Sequence, residues 1–213
     1  MNMSKTALID IHYLPSIEYF TVLFRYDKII LEKEEHFVKQ TFRSRCEILT
    51  ANKIEKLSVP VVGGRKKIKM KDIQIDHEQQ WQKNHWRAIQ SAYGRAPFYE
   101  FFVHYFEPFF SKQEKFLYDF NFKLLSLCLK LMQAKIKFEE TATYEKSPLD
   151  DQIDDLRSIV SPKRGYKSNT LYTPVSYPQV FGKNFVANLS IIDLLFCEGP
   201  NAKNLVTNSI LVE

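Results

Sequence analysis

The first 32 residues alternate between strand-like and helix-like patterns, and this alternation constrains the fold more than any other feature. Residues 7 to 11 form a short apolar run that ends at His12, as expected for a β-strand. Pro15 then suits the first turn of a helix, where the missing amide of proline costs nothing. The run KIILE at residues 28 to 32 is a second predicted strand. A strand, a helix and a strand in so short a segment predict a parallel βαβ unit and an α/β protein.

The next segments predict what surrounds this unit. Two β-rich runs that meet at Asn52-Lys53 indicate a β-hairpin. Helical periodicity follows from about residue 77 to residue 134 and predicts a helical subregion of about three helices. The run KIKFEE at residues 135 to 140 is interpreted as a strand that returns to the sheet. We therefore expect a mixed α/β fold with a central mixed β-sheet, as one domain over residues 1 to 213.

The C-terminal third predicts less regular structure. The segment LDDQIDDLRSIVS at residues 149 to 161 is interpreted as a short helix, because acidic residues favour a helix N-terminus. Clustered carboxylates could instead bind Mg²⁺, and Asp155 and Arg157 are the residues of interest here. Residues 162 to 184 contain repeated proline and glycine and are expected to form loops. A closing helix is predicted to start near Ser190 and to stop at Gly199-Pro200.

Composition limits the classes of function. The net charge of +5 favours anionic ligands but is too small for a dedicated nucleic-acid-binding protein, so no nucleic-acid partner is expected. Three widely spaced cysteines indicate a reduced compartment and no zinc site. No signal peptide and no apolar window long enough for a transmembrane helix are recognisable, so we expect a soluble cytoplasmic protein. No nucleotide-binding loop or metal-binding motif is present either, and we expect no cofactor and no metal.

A basic row is the clearest local signal for a ligand. If residues 38 to 48 are extended, Lys39, Thr41, Arg43 and Arg45 share one face of the strand and apolar residues share the other. Closely spaced cations repel one another, and a phosphate or carboxylate ligand would relieve that repulsion. The alternative is a solvated edge strand whose charges discourage pairing with other chains.

Two histidines are candidates for a general base, because histidine titrates near neutral pH. His12 follows the first strand and precedes a helix, so we expect it, with Tyr13, at the edge of a binding cleft. His85 lies one helical turn from Trp81 and from Ile89. A packed histidine with one hydrogen bond is the structural alternative for His85.

Several segments in order resemble the WbqC-like family of bacterial proteins: HYLPSIEYF, DKIILE, KQTFRSRC, LSVPV, HWRAIQSAYGRAPF, SPK, YPQVF and NLSIIDLLF. The resemblance covers residues 7 to 200. Members of this family occur in gene clusters for surface-polysaccharide (O-antigen, lipopolysaccharide) synthesis, which implies a transferase, for example one that transfers an amino acid such as glycine to a sugar. The family segments single out His12 and His85 as catalytic candidates, and as binding candidates Tyr13, Lys39, Gln40, Arg43, Arg45, Trp81, Tyr93, Lys163, Gln179, Asn188 and Asp193.

Three functions fit these residues. The leading hypothesis is a transferase in which Lys39, Arg43 and Arg45 hold the phosphates of an activated donor, and His12 or His85 deprotonates the acceptor. The second is a nucleotidyl-transfer-like enzyme with phosphates at the N-terminus of the first helix. The third is a non-catalytic protein that binds an anionic ligand through the same basic row.

Overall fold

A parallel β-sheet forms the centre of the fold in the computed structural model, which describes residues 5–64, 66–148, 150–168 and 171–211. The other residues of the predicted domain 1–213, among them Arg65 and Leu149, lie outside this description. Strand β1 (Thr6–Asp10), helix α1 (Ile17–Phe24) and strand β2 (Lys28–Glu32) form the predicted unit, and the two strands pair in parallel. The predicted opening of the fold is therefore confirmed.

The strand order places β1 at a reversal of the sheet. The four-stranded sheet also contains β5 (Lys137–Glu140) and β6 (Ile153–Asp155), in the order β5-β2-β1-β6. All neighbouring pairs are parallel, so the sheet is not mixed in strand direction. Strands β2 and β5 are thus added on one side of β1, and β6 is added on the other side. Because the strands are parallel, their carboxyl ends share one edge of the sheet.

The short helix predicted over residues 149 to 161 is wrong, because this segment contains β6. Thr6 of β1 lies opposite Ile153, and Leu8 lies opposite Asp155. Pairing with a buried central strand outweighs the local preference of aspartates for a helix N-terminus. A strand of three residues is also too short to show any alternation in the sequence.

The hairpin and the helical subregion are confirmed. Strands β3 (Arg45–Leu49) and β4 (Ile54–Ser58) pair antiparallel, and the amide of Thr50 donates to the carbonyl of Lys53. The helical subregion consists of α2 (Trp81–Tyr93), α3 (Tyr99–Ser111) and α4 (Leu117–Leu131). The chain ends in α5 (Ile191–Glu198) and α6 (Ala202–Asn208), which are separated by a 3₁₀ turn (Gly199–Asn201) where the sequence predicts a stop.

One hydrophobic cluster joins the sheet, the hairpin and the helices. Phe196 of α5 lies near its centre, with its ring 5.3 Å from Tyr93, 5.4 Å from Tyr99 and 5.5 Å from Phe106, measured between centroids. In the part of the chain that the structure describes, helices with the length and apolar character needed to cross a bilayer are absent.

Gly199 allows α5 to pack closely against the helical subregion. Its φ is +55°, and an added Cβ would collide with the ring of Phe98. Gly165 has a similar φ of +67° but open space around it.

We expect Gly165→Ala to cost about 1–2 kcal/mol for the left-handed backbone. Gly199→Ala should cost about 1–3 kcal/mol more, because the ring must move and because φ 55° with ψ −126° is a conformation that residues with a Cβ rarely adopt. Equal losses in urea denaturation of the two variants would contradict this close packing.

Candidate active site at the carboxyl edge of the sheet

The carboxyl edge of the sheet collects acidic residues from every strand. β1, β2, β5 and β6 end at Asp10, Glu32, Glu140 and Asp155. In open parallel sheets, ligands bind outside the carboxyl ends of the strands at the point where strand order reverses. That point lies here between β1 and β6. This edge is therefore the expected position of a ligand-binding site.

Arg43 is buried between two carboxylates at this edge. Its Nη1 lies 3.0 Å from Oδ2 of Asp10, and its Nε lies 2.7 Å from Oε1 of Glu35. Nη2 donates to the other oxygen of Glu35 at 2.9 Å, so the contact with Glu35 is bidentate. The side chains of Arg43 and Asp10 are each only 1% exposed. Burial alone would raise the pKa of Asp10, but Arg43 and His12 hold it well below its usual range. Asp10 is therefore ionised at neutral pH.

His12 belongs to the same buried network. Its Nε2 lies 2.9 Å from Oδ2 of Asp10, and its ring packs 4.6 Å from that of Tyr19, between centroids. The His12 side chain is 1% exposed, so the predicted position of His12 and Tyr13 at an open cleft edge is wrong. Nδ1 is buried without a hydrogen-bond partner among the described residues. With the proton on Nε2, a carboxylate orients the ring and Nδ1 keeps a lone pair that can accept a proton.

Arg157 forms a second ion-pair cluster beside the first. It contacts Asp155 through Nε at 2.9 Å and through Nη2 at 2.6 Å, and its Nη1 donates to Glu32 Oε2 at 3.0 Å. The other oxygen of Glu32 accepts the amide of Glu34 at 2.8 Å and the hydroxyl of Thr141 at 2.8 Å. Glu32 is completely buried. Asp155 and Arg157, which the sequence analysis singled out, thus form an ion pair. This pair lies at the end of β6 and not in a helix.

Ser158 links the loop after β6 to β1. Its amide donates to Asp10 Oδ1 at 2.6 Å, and its hydroxyl accepts Arg43 Nη2 at 3.2 Å. The φ of Ser158 is +59°, which is unusual for a residue with a side chain. Such backbone strain occurs most often at functional sites.

A cavity of about 330 Å³ opens at this edge beside Glu32. Its floor includes Leu8 and Ile30, and its described lining includes several carboxylates and no lysine or arginine: Glu32, Glu139, Glu140, Glu145 and Asp150. Lys28 forms an ion pair with Glu139, and Lys33 forms one with Glu140. The charges of these two glutamates are therefore neutralised by residues outside the cavity lining. The side chains of Glu145 and Asp150 are exposed. The cavity suits a cationic or hydroxyl-rich ligand better than a bare phosphate.

Tyr13, Trp81 and His85 come together in the core. The Tyr13 hydroxyl shares a hydrogen bond with Nδ1 of His85 at 2.9 Å, and the Trp81 and His85 rings meet edge to face at 5.1 Å between centroids. Burial lowers the pKa of His85 to about 4. At neutral pH the ring is therefore uncharged.

Another group of predicted residues contains Tyr93, Gln179 and Asp193. Asp193 Oδ1 accepts the hydroxyl of Tyr177 at 2.7 Å and Nε2 of Gln179 at 3.2 Å. Tyr93 contacts the same carboxylate, and burial raises the pKa of Asp193. Tyr177 was not predicted from the sequence. This group ties the loop-rich segment to α5.

Asn188 caps the first helix. Its Oδ1 accepts the amide of Glu18 at 3.0 Å, and the carbonyl of Leu189 accepts the amide of Ile17 at 3.0 Å. These first amides of α1 are the groups that a phosphate would need at a helix N-terminus. They are already bonded within the protein.

The predicted basic row is not formed. The chain is irregular up to Ser44, and β3 begins only at Arg45, so residues 39 to 45 do not alternate as in a strand. Lys39 and Gln40 are exposed, Arg45 is half-buried, and Arg43 is neutralised in the core. Lys163 is exposed in the loop that follows β6.

Sequence reasoning missed the partners of Arg43. Asp10 interrupts an apolar run two residues before His12, and this pattern could have drawn attention to it. No comparable signal marks Glu35 or Ser158, because a buried ion-pair partner looks like any other polar residue in a loop.

The fold and the site define an α/β protein with a parallel sheet whose carboxyl edge carries a buried charge network. The chain belongs to the WbqC-like protein family, whose family model matches residues 11–167 and 163–205. It is also similar to uncharacterized protein Rv1507c of Mycobacterium tuberculosis, with 25% identity over 94% of this chain and 96% of that protein. No solved structure shows a significant match to the chain.

The charge network gives a stability prediction. Arg43→Met should lower the free energy of unfolding by about 3–5 kcal/mol, because two buried carboxylates lose their counter-ion. Arg45→Met is the matched control at a half-buried position. It should change stability by less than about 1 kcal/mol. A loss below 1 kcal/mol for Arg43→Met in urea denaturation would show that the network does not hold the edge together.

His85 gives a pH prediction. Since the pKa of His85 falls from 6.5 to about 4 on folding, only the unfolded chain takes up this proton between those pH values. Stability should therefore decrease as pH falls through this window. His85→Phe should remove up to about 3 kcal/mol of this pH dependence. Tyr13→Phe should retain it, because burial is the main cause of the shift. Parallel stability–pH curves for wild type and His85→Phe would contradict this assignment.

Proposed function

We propose that this protein is a transferase that modifies a sugar acceptor at the carboxyl edge of its parallel sheet. The supporting observation is the buried charge around the switch point, where Arg43 pairs with Asp10 and Arg157 pairs with Glu32. Glu32 also lines the cavity at this edge. Replacing buried ion pairs with apolar residues often costs no stability. Their presence beside a cavity is therefore better explained by function than by folding.

The cavity supports a sugar acceptor. Carboxylates accept hydrogen bonds from sugar hydroxyls and pair with the ammonium group of an amino sugar, whereas they repel a phosphate. Glu145 and Asp150 are exposed at the cavity and can make such contacts. The association of WbqC-like proteins with surface-polysaccharide genes supports the same acceptor class. An aminoacyl group, such as glycyl, is a suitable transferred group.

His12 is the proposed general base. Asp10 holds Nε2, and the free Nδ1 accepts a proton from the acceptor hydroxyl or amine as that atom attacks the acyl carbon of the activated donor. The bond between the acyl carbon and the phosphate-bearing part of the donor then breaks, and that part leaves with the bonding electron pair. Ionised Asp10 then stabilises the imidazolium. Because His12 is buried, the surrounding loops must open when substrate binds. His85 is not suited to this role, since Nδ1 is bonded to Tyr13 and its pKa is low.

The phosphates of an activated donor need cations other than Arg43. Lys163 is exposed on the loop that leaves β6 from the same edge, and we assign it to the donor. A nucleotidyl-transfer mechanism has less support, because the first amides of α1 are capped by Asn188 and Leu189. Binding of an anionic ligand without turnover also has less support, because the basic row is not formed. The buried, free cysteines agree with a cytoplasmic location, which belongs to the same proposal.

Acceptor binding is tested by calorimetric titration with glucosamine, N-acetylglucosamine and inorganic phosphate as probes. Glucosamine should bind best, because its ammonium group meets the carboxylates of the cavity. Glu145→Gln should weaken binding about tenfold, as expected for one lost charged hydrogen bond. Glu107→Gln, at an exposed position on α3, is the control and should bind as wild type does. Binding of phosphate alone, or equal binding by both variants, would overturn the acceptor assignment.

A further inference from the structure

Two further cavities lie at the opposite end of the sheet from the candidate active site. One of about 490 Å³ and one of about 230 Å³ share Ala134, Lys135 and Ile136 as a common wall. This wall joins the end of α4 to the start of β5 at Lys137, which is the amino end of that strand. Ligand pockets are roughly 300–1,000 Å³ in volume, so the space is sufficient for a small molecule.

The wall of the larger cavity is largely apolar, whereas the smaller cavity has a mixed polar and apolar wall. Leu129, Ile136 and Phe138 line the larger one, and Leu23, Phe24 and Tyr26 line the smaller one. Ile136 and Phe138 are only partly buried, so apolar surface remains in contact with solvent. Such surface gains free energy when an apolar ligand covers it.

Lysines supply the only formal charges in the described lining of both cavities: Lys130, Lys135 and Lys203. All three are exposed, and none forms an ion pair among the described residues. This end of the sheet is thus the electrostatic opposite of the carboxyl edge, whose cavity is lined by carboxylates. An anion that the carboxylates at the carboxyl edge repel is attracted by the lysines at the amino end of the sheet.

Helix electrostatics explain one of these lysines but not the others. Lys130 lies in the last turn of α4, where a cation is favourable. Lys203 lies in the first turn of α6, where a cation is unfavourable, and Lys135 lies outside any helix. Lys203 Nζ also donates to the carbonyl of Gln133 at 3.5 Å, which keeps it beside the shared wall. A bound anion would neutralise the charges of Lys135 and Lys203.

We propose that these cavities bind an amphipathic anion, a single alkyl chain that carries a phosphate head group. The chain packs against Ile136 and Phe138, and the phosphate contacts Lys135 and Lys203. Charge complementarity and apolar lining together select this class over free phosphate and over a neutral chain. This proposal does not depend on the transferase function.

The test is calorimetric titration with decyl phosphate, octyl phosphate, inorganic phosphate and decyl maltoside, below their micelle concentrations. Decyl phosphate should bind with one-to-one stoichiometry and about tenfold more tightly than octyl phosphate, because full burial of each CH₂ is worth roughly a factor of four. Inorganic phosphate and neutral decyl maltoside should each bind at least tenfold more weakly than decyl phosphate.

Variants assign the contacts. Lys135→Gln and Lys203→Gln should each weaken decyl phosphate binding severalfold, and Ile136→Gln should abolish the advantage over octyl phosphate. Lys83→Gln, an exposed lysine on α2, is the matched control and should have no effect. Thermal denaturation of each variant checks that it is folded.

Three results would overturn the proposal. Equal affinity for decyl maltoside would leave only an apolar surface. Equal weakening by Lys83→Gln would show non-specific attraction to the basic protein. Binding to anionic phosphatidylglycerol vesicles without saturable binding of decyl phosphate would assign this face to a membrane surface.

Discussion

The bidentate contact between Arg43 and Glu35, together with the contact of Arg43 with Asp10, connects segments at the carboxyl ends of three strands. Asp10 ends β1, Glu35 follows β2, and Ser158 follows β6, and all three contact this one guanidinium. Asn121 of α4 donates to the backbone carbonyl of Arg43 and adds the helical subregion. A buried guanidinium has fixed directions for its hydrogen bonds, so it determines the relative positions of these segments more strictly than apolar packing could. The shape of the candidate site follows from this one contact.

The distribution of charge along the sheet separates two kinds of chemistry. The carboxyl edge presents carboxylates to its cavity, and the amino end presents lysines to another pair of cavities. A net charge of +5 conceals this separation, since it averages over both ends. Ligands of opposite charge can therefore approach the same small protein without competing for one site.

Local periodicity predicts those helices and strands whose pattern can be recognised within their own residues. The opening β1-α1-β2 unit, the hairpin and α2 to α4 each show their pattern within about one element length and were predicted correctly. Strand β6 was not predicted, because its three residues form a strand only through their pairing with β1. The partners within the site were equally hidden. Tyr13 and His85 are 72 residues apart, and Arg43 and Ser158 are 115 apart. A single sequence suggests candidate residues, but contacts at such separations depend on the folded chain.

The capping of α1 by Asn188 and Leu189 has a consequence for biosynthesis. The amide of Glu18 finds its partner 170 residues later in the chain, and Ser16 forms a bridge with Ser190. While the ribosome is still making the helical subregion, the first helix has emerged without its cap. The nascent chain therefore completes the cap of α1 only after the residues at the start of α5 have been synthesised. Until then the first two amides of α1 lack these hydrogen-bond acceptors.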